Sequence, residues 1–313
     1  MSCCPPLAAN AQGLALASMA AVAVPTRADL TNMVRLPGGL FRMGCDQQEG
    51  EPADGEGPSR LVQLSPFRMS RTAVSNREFA SFVAATGHVS LAEEMGVSFV
   101  FAGLMPDDFA PTRGVADAPW WREVCGACWR QPEGPGSTLV GRQDHPVLHM
   151  SWHDAMAYCA WAGTCLPTEA QWEFAARGGL QGRRYPWGDD LLLGGEHRCN
   201  IWQGRFPRHN KLEDGFYGTA PVSAYAPNGY GLHNLCGNAW EWCADWFSAE
   251  SDPLPPADPV GPAEGRRRVI RGGSFLCHES YCFRYRVAAR SSNDPMATTG
   301  HMGFRCAAPA TTP

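Results

Sequence analysis

Glycine and proline limit what this chain can build. There are 34 Gly and 26 Pro among 313 residues, and each either loosens the backbone or removes a donor. Regular elements are predicted to be short, with turns and loops between them. Eleven Trp supply the large apolar area that pins such loops to a core. No tandem repeat or low-complexity linker interrupts residues 33–308, which are read as a single domain. The formal net charge of -5 excludes a basic surface for nucleic acid. Thirteen Cys, an odd number in so long a chain, exclude a wholly paired secreted scaffold and point to thiols with chemical roles.

Residues 1–32 are read as a disordered leader and 309–313 as a tail. The stretch from Leu7 to Pro25 is Ala-rich, but its first basic neighbour is Arg27, so it lacks the charged start of a secretory signal. Asn10, Gln12 and Ser18 make it too polar to cross a membrane. A cytoplasmic protein is the expectation, with a signal peptide as the other reading. Residues 34–44 predict strand, Pro-Gly-Gly turn, strand, and 47–59 a surface loop. Ser75 with Glu78, Ser151 with Asp154, and Thr168 with Gln171 mark helix starts. Val147–Met150 is read as a short strand, and 96–145 as loop held by Trp120, Trp121 and Trp129.

The stretch Arg271–Arg286 gathers the most chemistry. Cys277 and Cys282 lie five residues apart, a spacing that neither strand nor helix brings together. If they share a task, the backbone bends between them. Two thiolates on a bend suit a soft, low-coordinate metal such as Cu(I), or a redox exchange; two packed core cysteines are the other reading. Asn200 with Asp214, and Asn234 with Glu241, sit in turns rich in carbonyls and amides, which fit ordinary turns or calcium. Cys125-x-x-Cys128 has no second pair and is read as incidental loop thiols. There is no H-E-x-x-H, G-x-S-x-G or P-loop pattern.

The chain resembles the formylglycine-generating enzymes, or sulfatase-modifying factors, of the bacterial cytoplasmic type. The residues that carry this are Pro37-Gly38-Gly39-x-Phe41-x-Met43-Gly44, His145-Pro146-Val147-x-His149-x-Ser151-Trp152, Leu166-Pro167-Thr168-Glu169-Ala170-x-Trp172-Glu173, Tyr185-Pro186-Trp187-Gly188, Asn228-Gly229-Tyr230-Gly231-Leu232, Gly237-Asn238-Ala239-Trp240-Glu241-Trp242 and Gly303-Phe304-Arg305-Cys306. More specific is Ser274-Phe275-Leu276-Cys277-His278-x-Ser280-Tyr281-Cys282-x-Arg284-Tyr285-Arg286. Together they run from about 33 to 308.

The resemblance implies an α+β fold: one compact domain with low regular secondary structure, C-type-lectin-like. It implies an oxidase that binds Cu(I) through Cys277 and Cys282 and uses O2. The cysteine of a C-x-P-x-R motif in an unfolded sulfatase then becomes Cα-formylglycine. Ser274 joins the catalytic set, and Trp240, His278, Arg284 and His301 the substrate groove. Two structural Ca2+ sites are implied, one at Asn200, Ile201, Asp214 and Phe216, the other at Asn234, Gly237, Ala239 and Glu241. Cys159 and Cys306 occupy the positions of one disulfide of secreted relatives; Ala176 and Val287 replace the other. His301 stands where relatives often have Asn. No membrane partner and a monomer are expected. A non-catalytic lectin-like module and a dithiol redox protein are the alternatives.

Overall fold

Helix starts follow the local sequence signals. The computed structural model describes residues 30–47, 49–250 and 257–310. The helices α1 (Asn76–Thr86), α2 (Leu91–Met95), α3 (Trp152–Ala162) and α4 (Glu169–Arg177) each begin on a reciprocal capping box, at Ser75, Ser90, Ser151 and Thr168. Each ends at a glycine in the left-handed region, the conformation that lets a terminal amide fold back onto the last carbonyls.

The strands are short, as the glycine and proline content requires. In chain order they are β1 (Met33–Leu36), β2 (Gly39–Met43), β3 (Arg60–Leu64), β4 (Phe67–Ser70), β5 (Val97–Phe101), β6 (Arg113–Val115) and β7 (Ala118–Cys125). Then come β8 (Leu192–Leu193), β9 (Glu196–His197), β10 (Gly204–Arg205) and β11 (His209–Asn210). The last are β12 (Trp240–Trp246), β13 (Arg268–Arg271), β14 (Arg290–Asn293), β15 (Met302–Phe304) and β16 (Ala307–Pro309). They make several small sheets, and the one that bears on the site has the order β14-β13-β12-β15. There β12 pairs antiparallel with β13, Glu241 opposite Arg271, and parallel with β15, Trp240 opposite Met302. With four α-helices and many short strands among the described residues, the fold is α+β.

The strand, turn, strand expected over 34–44 is present as β1 and β2, with β1 joined to β4 and β2 to β3; three other sequence expectations need correction. Gly38 turns the corner, and a side chain there would stand 2.3 Å from the Leu64 carbonyl oxygen. Residues 96–145 are not all loop, since β5, β6 and β7 form a sheet. Every residue of β5 is buried, so the strand has no alternation to read. Val147–Met150 is not a strand; His149 has φ 61°, which breaks extended backbone. The 47–59 segment is not simply a surface loop either. Asp54 and Glu56 are buried and paired with Arg284 and Arg286. Apart from residues 30–32, the leader lies outside the described residues.

The main core joins α1, α3 and α4 to β12 and to the loop after β13. Trp172, Trp240 and Trp242 are fully buried in it, with Phe41, Phe79 and Phe82. A layer of ion pairs runs through it. Arg271 bridges Glu169 and Glu173, Arg290 holds Glu169, and Arg305 holds both oxygens of Glu241. Charges so deep are tolerated only when paired and hydrogen-bonded.

Candidate active site

The loop that follows β13 closes on itself because of two glycines. Gly272 and Gly273 have φ of 93° and 75°. A Cβ on Gly273 would lie 3.0 Å from the Arg284 carbonyl oxygen and 3.1 Å from Tyr285 Cα. Its absence brings the outgoing and returning halves together. The turn within the loop is as tight: the His278 carbonyl accepts from Tyr281 N–H at 2.9 Å and from Cys282 N–H at 2.7 Å. This is the bend that the five-residue spacing demanded. Cys277 Sγ and Cys282 Sγ end 2.9 Å apart, beyond the roughly 2.05 Å of a disulfide bond. Both are buried, 1% exposed.

Neighbouring segments fix the pair. Trp202 N–H donates to the Cys277 carbonyl at 3.0 Å, and Phe275 N–H donates to the Asn238 carbonyl at 3.0 Å. Ser274 N–H points at Cys277 Sγ from 3.4 Å. Ser274 Oγ accepts from Leu276 N–H at 3.3 Å.

The substrate-groove residues are placed less uniformly. Trp240 begins β12 two residues after Asn238, so it is tied to the dithiol loop through the Asn238–Phe275 bond. Its N–H backbone group donates to His301 O at 2.9 Å, and its indole Nε1 is buried without a partner. His301 is buried, with Nδ1 2.7 Å from Thr299 Oγ1 and its ring against Trp121. His278 lies half-exposed on the outer turn beside Ser280. Arg284 is turned inward to Asp54. Sequence reasoning missed the aromatic platform beside the loop. Tyr281 stacks on Phe206 at 4.4 Å and Trp120 meets Tyr281 edge-on at 4.8 Å. Only Tyr281 stood inside a motif; Phe206 carries no local signal.

The two candidate cation sets border the same loop. Asn200 Oδ1 and Asn234 Oδ1 are both buried without a hydrogen-bond partner, the orphaned oxygens that a hard cation would satisfy. Asp214 Oδ2 accepts from Ile201 N–H at 3.0 Å, and Oδ1 from Phe216 N–H at 3.0 Å. Burial pushes its pKa above the usual carboxylate value. The Gln203 side-chain amide fills the space between Ile201 O and Asp214 Oδ2. Gly237 must be glycine, since a Cβ would lie 2.2 Å from the Asn200 carbonyl oxygen. The Glu241 carboxylate is held by Arg305 and by Trp172 Nε1 at 2.6 Å, so a cation there would share its oxygens with those donors. Among the described residues, no three His, Cys, Asp or Glu side chains converge as a metal cluster; carbonyls and amides make up most of both sets.

Outside the loop, Cys159 and Cys306 sit 3.8 Å apart as thiols, and burial raises the Cys159 pKa. Cys125 is exposed and Cys128 buried. No helix among the described residues is long and apolar enough to cross a membrane.

Comparison with known proteins gives this geometry a context. Over 281 residues the chain is 59% identical to a formylglycine-generating enzyme of Thermomonospora curvata, covering 88% of this chain and 93% of that one. It is also 45% identical to an inactive Cα-formylglycine-generating enzyme 2 of Bos taurus, over 90% of this chain and 89% of the relative. The solved structure of PvdO from Pseudomonas aeruginosa superposes with a TM-score of 0.65 at 25% identity, covering 88% of this chain and 94% of that one. Residues 19–310 match the sulfatase-modifying factor enzyme 1-like domain, and the chain belongs to that family.

Proposed function

We propose that this chain is a copper-dependent oxidase that turns the cysteine of a C-x-P-x-R segment in a sulfatase polypeptide into Cα-formylglycine, using dioxygen. The observation that carries the reading is the buried pair of sulfurs 2.9 Å apart. Two thiols aimed at one point fit a soft, low-coordinate metal. The unpartnered Trp240 Nε1 adds a donor with nothing yet to bind. Cys277 and Cys282 would hold copper(I), which when bound supplies one-electron chemistry towards dioxygen and a position for a third thiolate.

The protein's own groups prepare that chemistry. The Ser274 N–H, 3.4 Å from Cys277 Sγ, holds that sulfur in place. Ser274 Oγ already accepts from Leu276, which leaves its hydrogen to donate to a client sulfur or oxygen. With each cysteine 1% exposed, the client thiol is reached only by parting the covering side chains, and water is kept out. His278, Arg284 with its Asp54 partner, His301 and Trp240 are assigned to the peptide. The sets at Asn200, Ile201, Asp214 and Phe216 and at Asn234, Gly237, Ala239 and Glu241 are assigned to calcium. A cytoplasmic monomer is part of the same reading.

The conversion removes sulfur and two hydrogens from the client residue and adds one oxygen. The client CH2–SH gives up two electrons and two protons to become a thioaldehyde, and water hydrolyses this to the aldehyde with sulfur leaving as hydrogen sulfide. Reducing dioxygen to two waters takes a further electron pair, which a thiol reductant provides. The test is mass spectrometry of a C-x-P-x-R peptide after incubation with enzyme, Cu(I), air and such a reductant. Formation of the aldehyde, lost in Cys277→Ser and Cys282→Ser, is the expected result. An unchanged peptide would match the inactive relative, and thiol–disulfide exchange without copper would match a dithiol redox protein; either outcome removes the oxidase reading.

A further inference from the structure

The hairpin β2–β3, the end of α4, the turn at 182–184 and the end of the dithiol loop at Arg286 border a cavity of about 140 Å³. Five arginines line it: Arg42, Arg177, Arg183, Arg184 and Arg286. The carboxylates of Asp46 and Glu49 also line it, but both are engaged. Asp46 accepts the Ser59 N–H at 2.8 Å and the Ser59 hydroxyl at 2.6 Å. Glu49 takes Arg184 through both oxygens. Arg286 is likewise matched by both oxygens of Glu56, and Arg183 pairs with Asp189.

Two arginines are left incompletely matched. Arg177 is 3% exposed. Its Nε and Nη2 donate to Glu173 Oε1 at 3.1 and 2.6 Å, and Nη2 also to the Gly44 carbonyl at 3.0 Å. Its Nη1 is buried with no partner. Arg177 borders the cavity, and Nη1 is the one nitrogen of its guanidinium without an acceptor. The Arg42 side chain donates to Ser59 Oγ at 3.1 Å and acts on the nearby Asp46 through its charge, with no direct hydrogen bond or salt bridge to a carboxylate among the described residues. A buried cationic donor without an acceptor is costly, and guanidinium groups match oxyanions in geometry and charge.

We propose that this cavity binds a tetrahedral oxyanion, phosphate or sulfate, held by Arg177 Nη1 and Arg42. Occupancy would tie the β2–β3 hairpin to the end of α4, and so stabilise the folded protein by mass action. The experiment is calorimetric titration of the full chain with sodium phosphate and sodium sulfate, against sodium chloride at matched ionic strength. Saturable binding of either oxyanion at one site per chain, with none for chloride, is expected. Arg42→Ala should weaken it roughly tenfold, the value of one charge-assisted hydrogen bond. Arg177→Lys, which keeps the charge and removes the fork, should weaken it as well. If that buried variant does not fold, Arg42→Ala alone decides. No saturable binding, or binding that Arg42→Ala leaves unchanged, overturns the proposal.

Discussion

Acidification is expected to destabilise this protein through His149. The ring is buried, with Nε2 2.9 Å from the Pro132 carbonyl and Nδ1 2.7 Å from Ser98 Oγ. A carbonyl only accepts, so Nε2 carries the hydrogen and Nδ1 is the atom left to protonate. Burial lowers the His149 pKa from 6.5 to about 4. The unfolded chain therefore takes up this proton at higher pH than the folded one. Stability from the neutral ring is complete above 6.5 and is lost as pH falls towards 4. At about 1.36 kcal/mol per pH unit, the loss reaches about 3 kcal/mol near pH 4. Urea unfolding of the wild type and His149→Asn at about pH 7 and about pH 4.5 isolates it, because other groups titrate in both proteins. Asn suits the site because it tolerates the left-handed backbone at φ 61°. The wild-type advantage should shrink by about 2.5 kcal/mol between the two conditions. A constant difference, or an NMR titration of the folded His149 near 6.5, would refute the burial argument.

Three further outcomes follow from the core and the cation sets. Burial and the neighbouring Glu169 raise Asp245 from 3.8 to about 7, so its contribution is present at low pH and lost as pH rises through 7. Asp245→Asn should therefore gain on the wild type in urea melts between about pH 5 and about pH 8, by about 2.5 kcal/mol; no pH trend in that difference would contradict it. Arg305→Met strands the buried Glu241 carboxylate and should cost about 3–5 kcal/mol, most of it recovered on adding Glu241→Gln; equal single and double variants in thermal unfolding would sink the pairing argument. Calcium added to EDTA-treated protein should raise the melting temperature, with a gain of about 2.7 kcal/mol at a hundredfold excess over Kd. That gain should fall in Asn200→Ala, and insensitivity to both calcium and EDTA would remove the cation assignment.

What the sequence revealed was what acts locally. The caps at Ser75, Ser151 and Thr168 are four-residue patterns, and the helices begin there. The helix at Leu91–Met95 carries the same signal at Ser90 and Glu93, but a single turn has no periodicity to notice. For the dithiol, spacing alone required a bend; the structure supplies it through the doubly used His278 carbonyl. The 47–59 segment shows the opposite case. Its acids suggested solvent, yet Asp54 and Glu56 find Arg284 and Arg286 across 230 residues. Pairing over such a distance leaves no trace in local composition. The platform of Phe206, Trp120 and Tyr281 is hidden for the same reason.

The placement of β16 has a consequence for how the chain is made. β4 is the middle strand of its sheet, with β1 on one side and β16, residues 307–309, on the other. β15, at 302–304, likewise completes the sheet that carries Trp240. A nascent chain emerging from the ribosome thus has one flank of β4 bare until β16 has been made. Folding of this domain is expected to be late and all-or-none, not progressive, with β15 and β16 acting as the latch.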